Sequence, residues 1–140
     1  MLLKFRLRSE FELRQRLKKK KFDAQTIEKA VSFLKERRFI DDNSFAKAWI
    51  GSRIKRPLGI RRIKQELALK GIDKAIIDNG LNEIKKNYSE KEVVANITKD
   101  RLNKLKGCDP QKSKKRIFAY LLRRGFSPET VIDVLNNPEV

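Results

Sequence analysis

Lysine and arginine are the residues of this chain best placed to do chemistry, and they are bunched. Between positions 53 and 70 stand Arg53, Lys55, Arg56, Arg61, Arg62, Lys64 and Lys70 against one acid, Glu66. Between positions 99 and 124 the cations are Lys99, Arg101, Lys104, Lys106, Lys112, Lys114, Lys115, Arg116, Arg123 and Arg124, against Asp100 and Asp109. Scattered lysines often do no more than solvate a surface. Clusters of one sign repel themselves, which weakens the compact state unless an acidic protein surface or a row of phosphates meets them. The candidate partner-binding residues are Arg53, Lys55, Arg56, Arg61, Arg62, Lys64 and Lys70 in the first cluster. In the second they are Lys112, Lys114, Lys115, Arg116, Arg123 and Arg124.

Other chemistries lack their parts. There is no histidine and only one cysteine, Cys108, so an intrachain disulfide and the usual zinc sets are excluded. Cys108 has no general base near it in sequence, and neither a phosphate-cradling glycine loop nor a nucleophile with its base occurs. Asp41-Asp42 precedes a helical pattern, where carboxylates cap free amides, and no third carboxylate or histidine stands nearby to make a metal or acid-base set. Trp49 falls at helical spacing with Phe45, Ala48 and Ile54, which assigns it to the core rather than to a stacked base. No enzyme activity, cofactor or metal is expected.

The formal charge is +17, with charged residues at 38% and apolar residues at 39% of 140 positions. Globular chains average about 25% charged, so a thin core under a large charged surface is implied. No window approaches the ~18 apolar residues of a membrane span, and the N-terminus has no signal-peptide core. A monomer in the reducing cytoplasm, away from membranes, is the expectation.

Helical periodicity positions the cations. Ile60, Ile63 and Leu67 share one helical face, from which Arg61, Arg62 and Lys64 are largely excluded. Gly71 ends that helix in a left-handed turn, and Asp73 is placed to cap the next, along which Ile76, Ile77, Leu81 and Ile84 recur. Gly80, within that stripe, allows close packing of a neighbouring helix. Ser9 and Glu12 form a capping box for a helix burying Leu13 and Leu17, and Asp23 caps one with Ile27, Ala30, Val31 and Leu34. A helix from about residue 43 to 55 turns Phe45, Ala48, Trp49 and Ile54 inward, and Pro57 ends it. Ser89 and Glu92 open a helix carrying Val93, Val94, Ile97 and Leu102. Asp109-Pro110 starts one burying Ile117, Tyr120 and Leu121, and Ser127-Pro128-Glu129 starts the last, with Val131, Val134 and Leu135 inward. Residues 1–8 alternate Leu3, Phe5 and Leu7 with Lys4, Arg6 and Arg8, a pattern of either a short strand or the last turns of a further helix, the helix being preferred.

These pieces repeat. Leu13, Leu17, Phe22, Asp23, Ile27, Val31 and Leu34 match Ile63, Leu67, Ile72, Asp73, Ile77, Leu81 and Ile84 at an offset of 50 residues. Ile117, Leu121, Phe126, Ser127, Val131 and Leu135 follow at 54. The fold expected is all-α: tandem three-helix repeats in an extended, curved array, divided at 1–40, 41–87 and 88–140, the first lacking most of its leading helix.

With its repeats aligned, the chain resembles the RecX family of regulators of the RecA recombinase. The carrying residues are Arg8-Ser9-x-x-Glu12-Leu13-x-x-x-Leu17, Phe39-Ile40-Asp41-Asp42-x-x-Phe45-Ala46, Gly59-x-x-x-Ile63-x-Gln65-Glu66-Leu67-x-x-Lys70-Gly71-Ile72, and Leu122-Arg123-Arg124-Gly125-Phe126. The resemblance implies a cytoplasmic, non-enzymatic protein that binds RecA and its DNA filament and restrains strand exchange and SOS signalling. Charge alone supports a different class, a salt-sensitive helical protein binding nucleic acid directly. Two departures from the family stand out: only eight residues precede Ser9, and Lys21 replaces the glycine of the first turn. A left-handed lysine costs about 1 kcal/mol, so another turn geometry is expected there.

Overall fold

A computed structural model describes residues 8–56 and 58–137, so the assignment of residues 1–8 to a helix falls almost wholly outside the described residues. The described chain is helical throughout: α1 (Glu10–Lys19), α2 (Ala24–Glu36), α3 (Asp42–Ile54), α4 (Ile60–Leu69), α5 (Lys74–Lys85), α6 (Glu90–Lys104), α7 (Pro110–Arg123) and α8 (Pro128–Asn136). Their order is that of tandem helical repeats. The starts follow the capping chemistry. Ser9 and Glu12 exchange both hydrogen bonds of a capping box, and Asp23, Ser89, Asp109 and Ser127 each accept a backbone N–H from the first turn that follows. Asp41 accepts from the Asn43 N–H at 2.9 Å and the Ser44 hydroxyl at 3.1 Å, while Asp42 accepts the Glu10 N–H at 2.9 Å. The acidic pair therefore holds helix ends.

The ends of α1, α4 and α7 share one turn. The Phe22, Ile72 and Phe126 N–H groups return to the carbonyls of Leu17, Leu67 and Leu121 at 3.3, 3.1 and 3.2 Å. In the same turns Lys21, Gly71 and Gly125 donate to Lys18, Ala68 and Leu122 and have φ of 66°, 75° and 86°. This is the left-handed closure that satisfies the last carbonyls of a helix. Lys21 thus keeps the glycine geometry, contrary to the expectation from its side chain, because two hydrogen bonds compensate a strain of about 1 kcal/mol.

The chain divides into two compact units, Met1–Gly51 with Glu66–Leu81, and Ser52–Gln65 with Asn82–Val140. In the first, Leu13, Ile27, Val31 and Ile40 form a buried cluster flanked by Leu17 and Leu34. Phe45, Ala46 and Ile50 are the buried residues of α3, and Gly80 lies where a Cβ would come within 2.9 Å of Ile50 Cδ1, so α5 does approach closely there. Ala48 is exposed, not inward: the buried face of α3 runs through positions 46 and 50, off the stripe read from the sequence. In the second unit, α6, α7 and α8 enclose Val94, Ile117, Leu121, Phe126, Val131, Val134 and Leu135.

Phe22 is 48% exposed although its counterparts Ile72 and Phe126 are buried. The reason lies in what covers each turn. Ser9 Oγ donates to the Lys70 carbonyl at 2.7 Å, so the start of α1 sits on the turn at Gly71. Gly59 N–H donates to the Arg124 carbonyl at 2.7 Å, so the approach to α4 sits on the turn at Gly125. Among the described residues no earlier repeat covers the turn at Lys21.

Candidate interaction surface

Twelve of the thirteen candidate cations belong to the second unit; Lys70 alone belongs to the first. Lys70 is engaged there. Its ammonium lies 3.0 Å from Glu12 and 5.3 Å from the centre of the Trp49 ring. Trp49 is half-buried, stacked on Phe45 with centroids 5.8 Å apart, and its Nε1–H donates to Glu66 at 3.1 Å. These contacts place Trp49 and Lys70 in the packing of the first unit.

Within the second unit, backbone contacts join cations that are about sixty positions apart in sequence. Besides the Gly59 to Arg124 bond, the Arg61 N–H donates to the Gly125 carbonyl at 3.2 Å. A Cβ on Gly59 would run into the Gly125 carbonyl carbon, and one on Gly125 into the Arg62 side chain and backbone N. The Arg61–Arg62 segment therefore packs against the turn at Arg124 and Gly125, which brings together two basic stretches that are separate in sequence. Arg61, Arg62 and Lys64 are exposed, while Ile63 and Leu67 beneath them are fully buried, as the helical stripe predicts. Arg53 is half-buried at the end of α3, with Lys55 and Arg56 exposed just beyond it.

Along α7 the cations divide by face. Lys112, Arg116 and Arg123 recur at four and seven residues and are exposed, with Lys115 nearby; Lys114 is half-buried on another face. Tyr120, expected in the buried stripe, is instead half-buried beneath cations from two helices. The Arg101 guanidinium carbon lies 3.4 Å from its ring centre, and Arg124 Nε donates to its hydroxyl at 3.1 Å. Burial alone would raise the phenol's pKa; the Arg124 hydrogen bond and the Arg101 contact outweigh it and lower it. Arg101, Lys104 and Tyr120 are thus members of the basic surface that were not among the candidates. The three-residue spacing from Arg101 to Lys104 was the available signal.

A half-buried carboxylate fixes one edge of this region. Glu90 accepts the Ser127 N–H at 3.1 Å, tying the start of α6 to that of α8. Burial raises its pKa, against the pull of that hydrogen bond and of the Lys85 and Arg61 charges. Tyr88 is pushed up to about 12, by burial first and by the charge of Glu90 second. Among the described residues no group of histidine, cysteine or acidic side chains could hold a metal ion, and no helix is long and apolar enough to cross a membrane.

Comparison with known proteins places this arrangement. Family models for RecX match in chain order: the first three-helix domain over residues 1–34, the second over 41–81 and the third over 94–135. Regulatory protein RecX of Clostridium beijerinckii is 35% identical over 130 residues, covering 91% of this chain; the chain spans only 60% of that relative's length. Regulatory protein RecX of Mannheimia succiniciproducens is 33% identical over 137 residues, covering 97% of this chain and 88% of its own. The crystal structure of RecX from Lactobacillus salivarius superposes with a TM-score of 0.85 at 20% identity, over 99% of this chain and 90% of that one, a likeness of fold.

Proposed function

Because the chain belongs to the RecX family of regulatory proteins, we propose that it binds the RecA recombinase and its DNA filament, and so restrains filament assembly, strand exchange and SOS signalling. The observation that carries this reading is the ordered match of all three repeats together with the packing of the Arg61–Arg62 segment against the turn at Arg124 and Gly125, which brings two basic stretches together. A surface dense in arginine forks suits carboxylates and phosphates, both of which a nucleoprotein filament presents. The protein acts by occupying the filament, without a catalytic step. Its modules are the repeats at 1–40, 41–87 and 88–140, and it works as a cytoplasmic monomer.

Reconstituted RecA on single-stranded DNA, followed by ATP turnover and light scattering, tests this. Added protein lowers both signals. Reversing Arg61, Arg62 and Lys64 to Glu raises the concentration needed by roughly tenfold to a hundredfold, the equivalent of about 1.4–2.8 kcal/mol. Absence of any binding to RecA, with or without single-stranded DNA and nucleotide, eliminates the proposal.

A further inference from the structure

Between α6 and α7 the second unit has a cleft of about 330 Å³ into which Arg101, Lys104, Arg116 and Arg123 converge around Tyr120. No acid lines it, and among the described residues none of the four cations has a carboxylate partner. What holds Arg101 in place is an aromatic ring, which fixes the plane of the guanidinium without neutralising it. Gathering cations this closely is unfavourable unless their charge is met from outside.

The spacing says what kind of anion meets it. Arg116 and Arg123 are seven residues apart, about 10.5 Å along the helix axis. One small anion does not bridge that distance, but a chain of anions does. Three of the four cations are arginines, whose planar forks match phosphate oxygens, and the half-buried Tyr120 ring is sheathed in charge rather than set in the apolar pocket a folded protein partner would fill. A recess between two helices admits a single strand more readily than a duplex, whose phosphates lie on the ridges of a rigid cylinder. We infer that the α6–α7 cleft is a binding site for the phosphodiester backbone of single-stranded nucleic acid, with Arg101, Lys104, Arg116 and Arg123 as its phosphate contacts.

The site contacts the strand without any recombinase, so it is tested in the absence of RecA and its failure leaves the filament reading untouched. Fluorescence anisotropy of a labelled oligothymidylate is measured against salt for the intact chain, for the R101Q/K104Q/R116Q/R123Q variant and for R116Q/R123Q, which alters exposed positions only and spares the Tyr120 stack. Four lost contacts lower the magnitude of the log–log salt slope by about 2–3, two by about 1.4, with affinity reduced at least roughly tenfold in the fourfold variant. Neutralising the exposed Lys18, Lys19, Lys20 and Lys29 of the first unit to Gln makes the same change in net charge and serves as the control; it leaves most of the affinity in place. Equal loss in that control, an unchanged slope in both cleft variants, no binding by the intact chain, or tighter binding of a duplex than of the strand would each overturn the site. Selective loss of polyglutamate binding with strand binding retained would also overturn it, assigning the cleft to an acidic polypeptide.

Discussion

Lys21, Gly71 and Gly125 close three equivalent turns with φ of 66°, 75° and 86°, yet only the last two are glycine. Backbone strain is common to all three, so strain alone does not select the residue. Crowding does. A Cβ at Gly71 would meet Phe11, and one at Gly125 would meet Arg62, whereas the turn at Lys21 is open enough to leave Phe22 48% exposed. Lysine is tolerated where only the torsional cost applies. Replacing Lys21 with Gly relieves that cost, offset in part by the greater freedom of glycine in the unfolded chain; a net gain of about 0.5–1 kcal/mol is expected, seen as a higher urea midpoint at unchanged slope. No gain, or a loss, would show that the lysine side chain contributes more than its strain removes.

Helix existence and most starts were legible locally, since Ser9, Asp23, Asp41, Ser89, Asp109 and Ser127 all act as side-chain acceptors at helix starts. Helix faces were legible where the stripe was continuous, as in α4, and misread at Ala48, where small and aromatic residues leave two stripes equally plausible. What local pattern does not contain is the docking of one repeat's helix on another's turn. Gly59 and Gly51 separate these levels. Gly51 lies inside α3 with nothing within 4 Å of an added Cβ, so Gly51→Ala raises stability by about 0.5–1 kcal/mol through helix propensity. At Gly59 the same substitution forces the backbone off the Arg124–Phe126 segment and breaks hydrogen bonds of 2.7 and 3.2 Å, costing about 2–4 kcal/mol. Paired chemical denaturation curves read both; equal effects would remove the docking from the account of stability.

For the molecule as a whole, a net charge of +17 sets the balance. Among the described residues, ion pairs at the surface include Arg14 with Glu28 at 2.7 Å, Lys35 with Glu10 at 2.9 Å, and Lys91 with Asp133 at 3.0 Å. Exposed pairs of this kind contribute about 0–1 kcal/mol each, too little to cancel the self-repulsion of so large a net positive charge. Salt weakens both, and the repulsion is the larger quantity. The thermal midpoint is therefore expected to rise by about 2–5 °C as sodium chloride goes from about 0.05 M to about 0.5 M. A falling midpoint would mean that the ion pairs dominate.

Sequence alone determined the helices, their caps, the threefold repeat and the family, because each depends on residues within a few turns of one another or on their order along the chain. It also marked the basic stretches, whose charge no fold can alter. Only the tertiary structure decided which cations stand together. The Arg61–Arg62 segment reaches the turn at Arg124 through two backbone hydrogen bonds and a pair of glycines in contact, and Arg101 reaches Tyr120 across two packed helices. Electrostatic recognition depends on distance in space, and across some sixty residues that distance is set by packing.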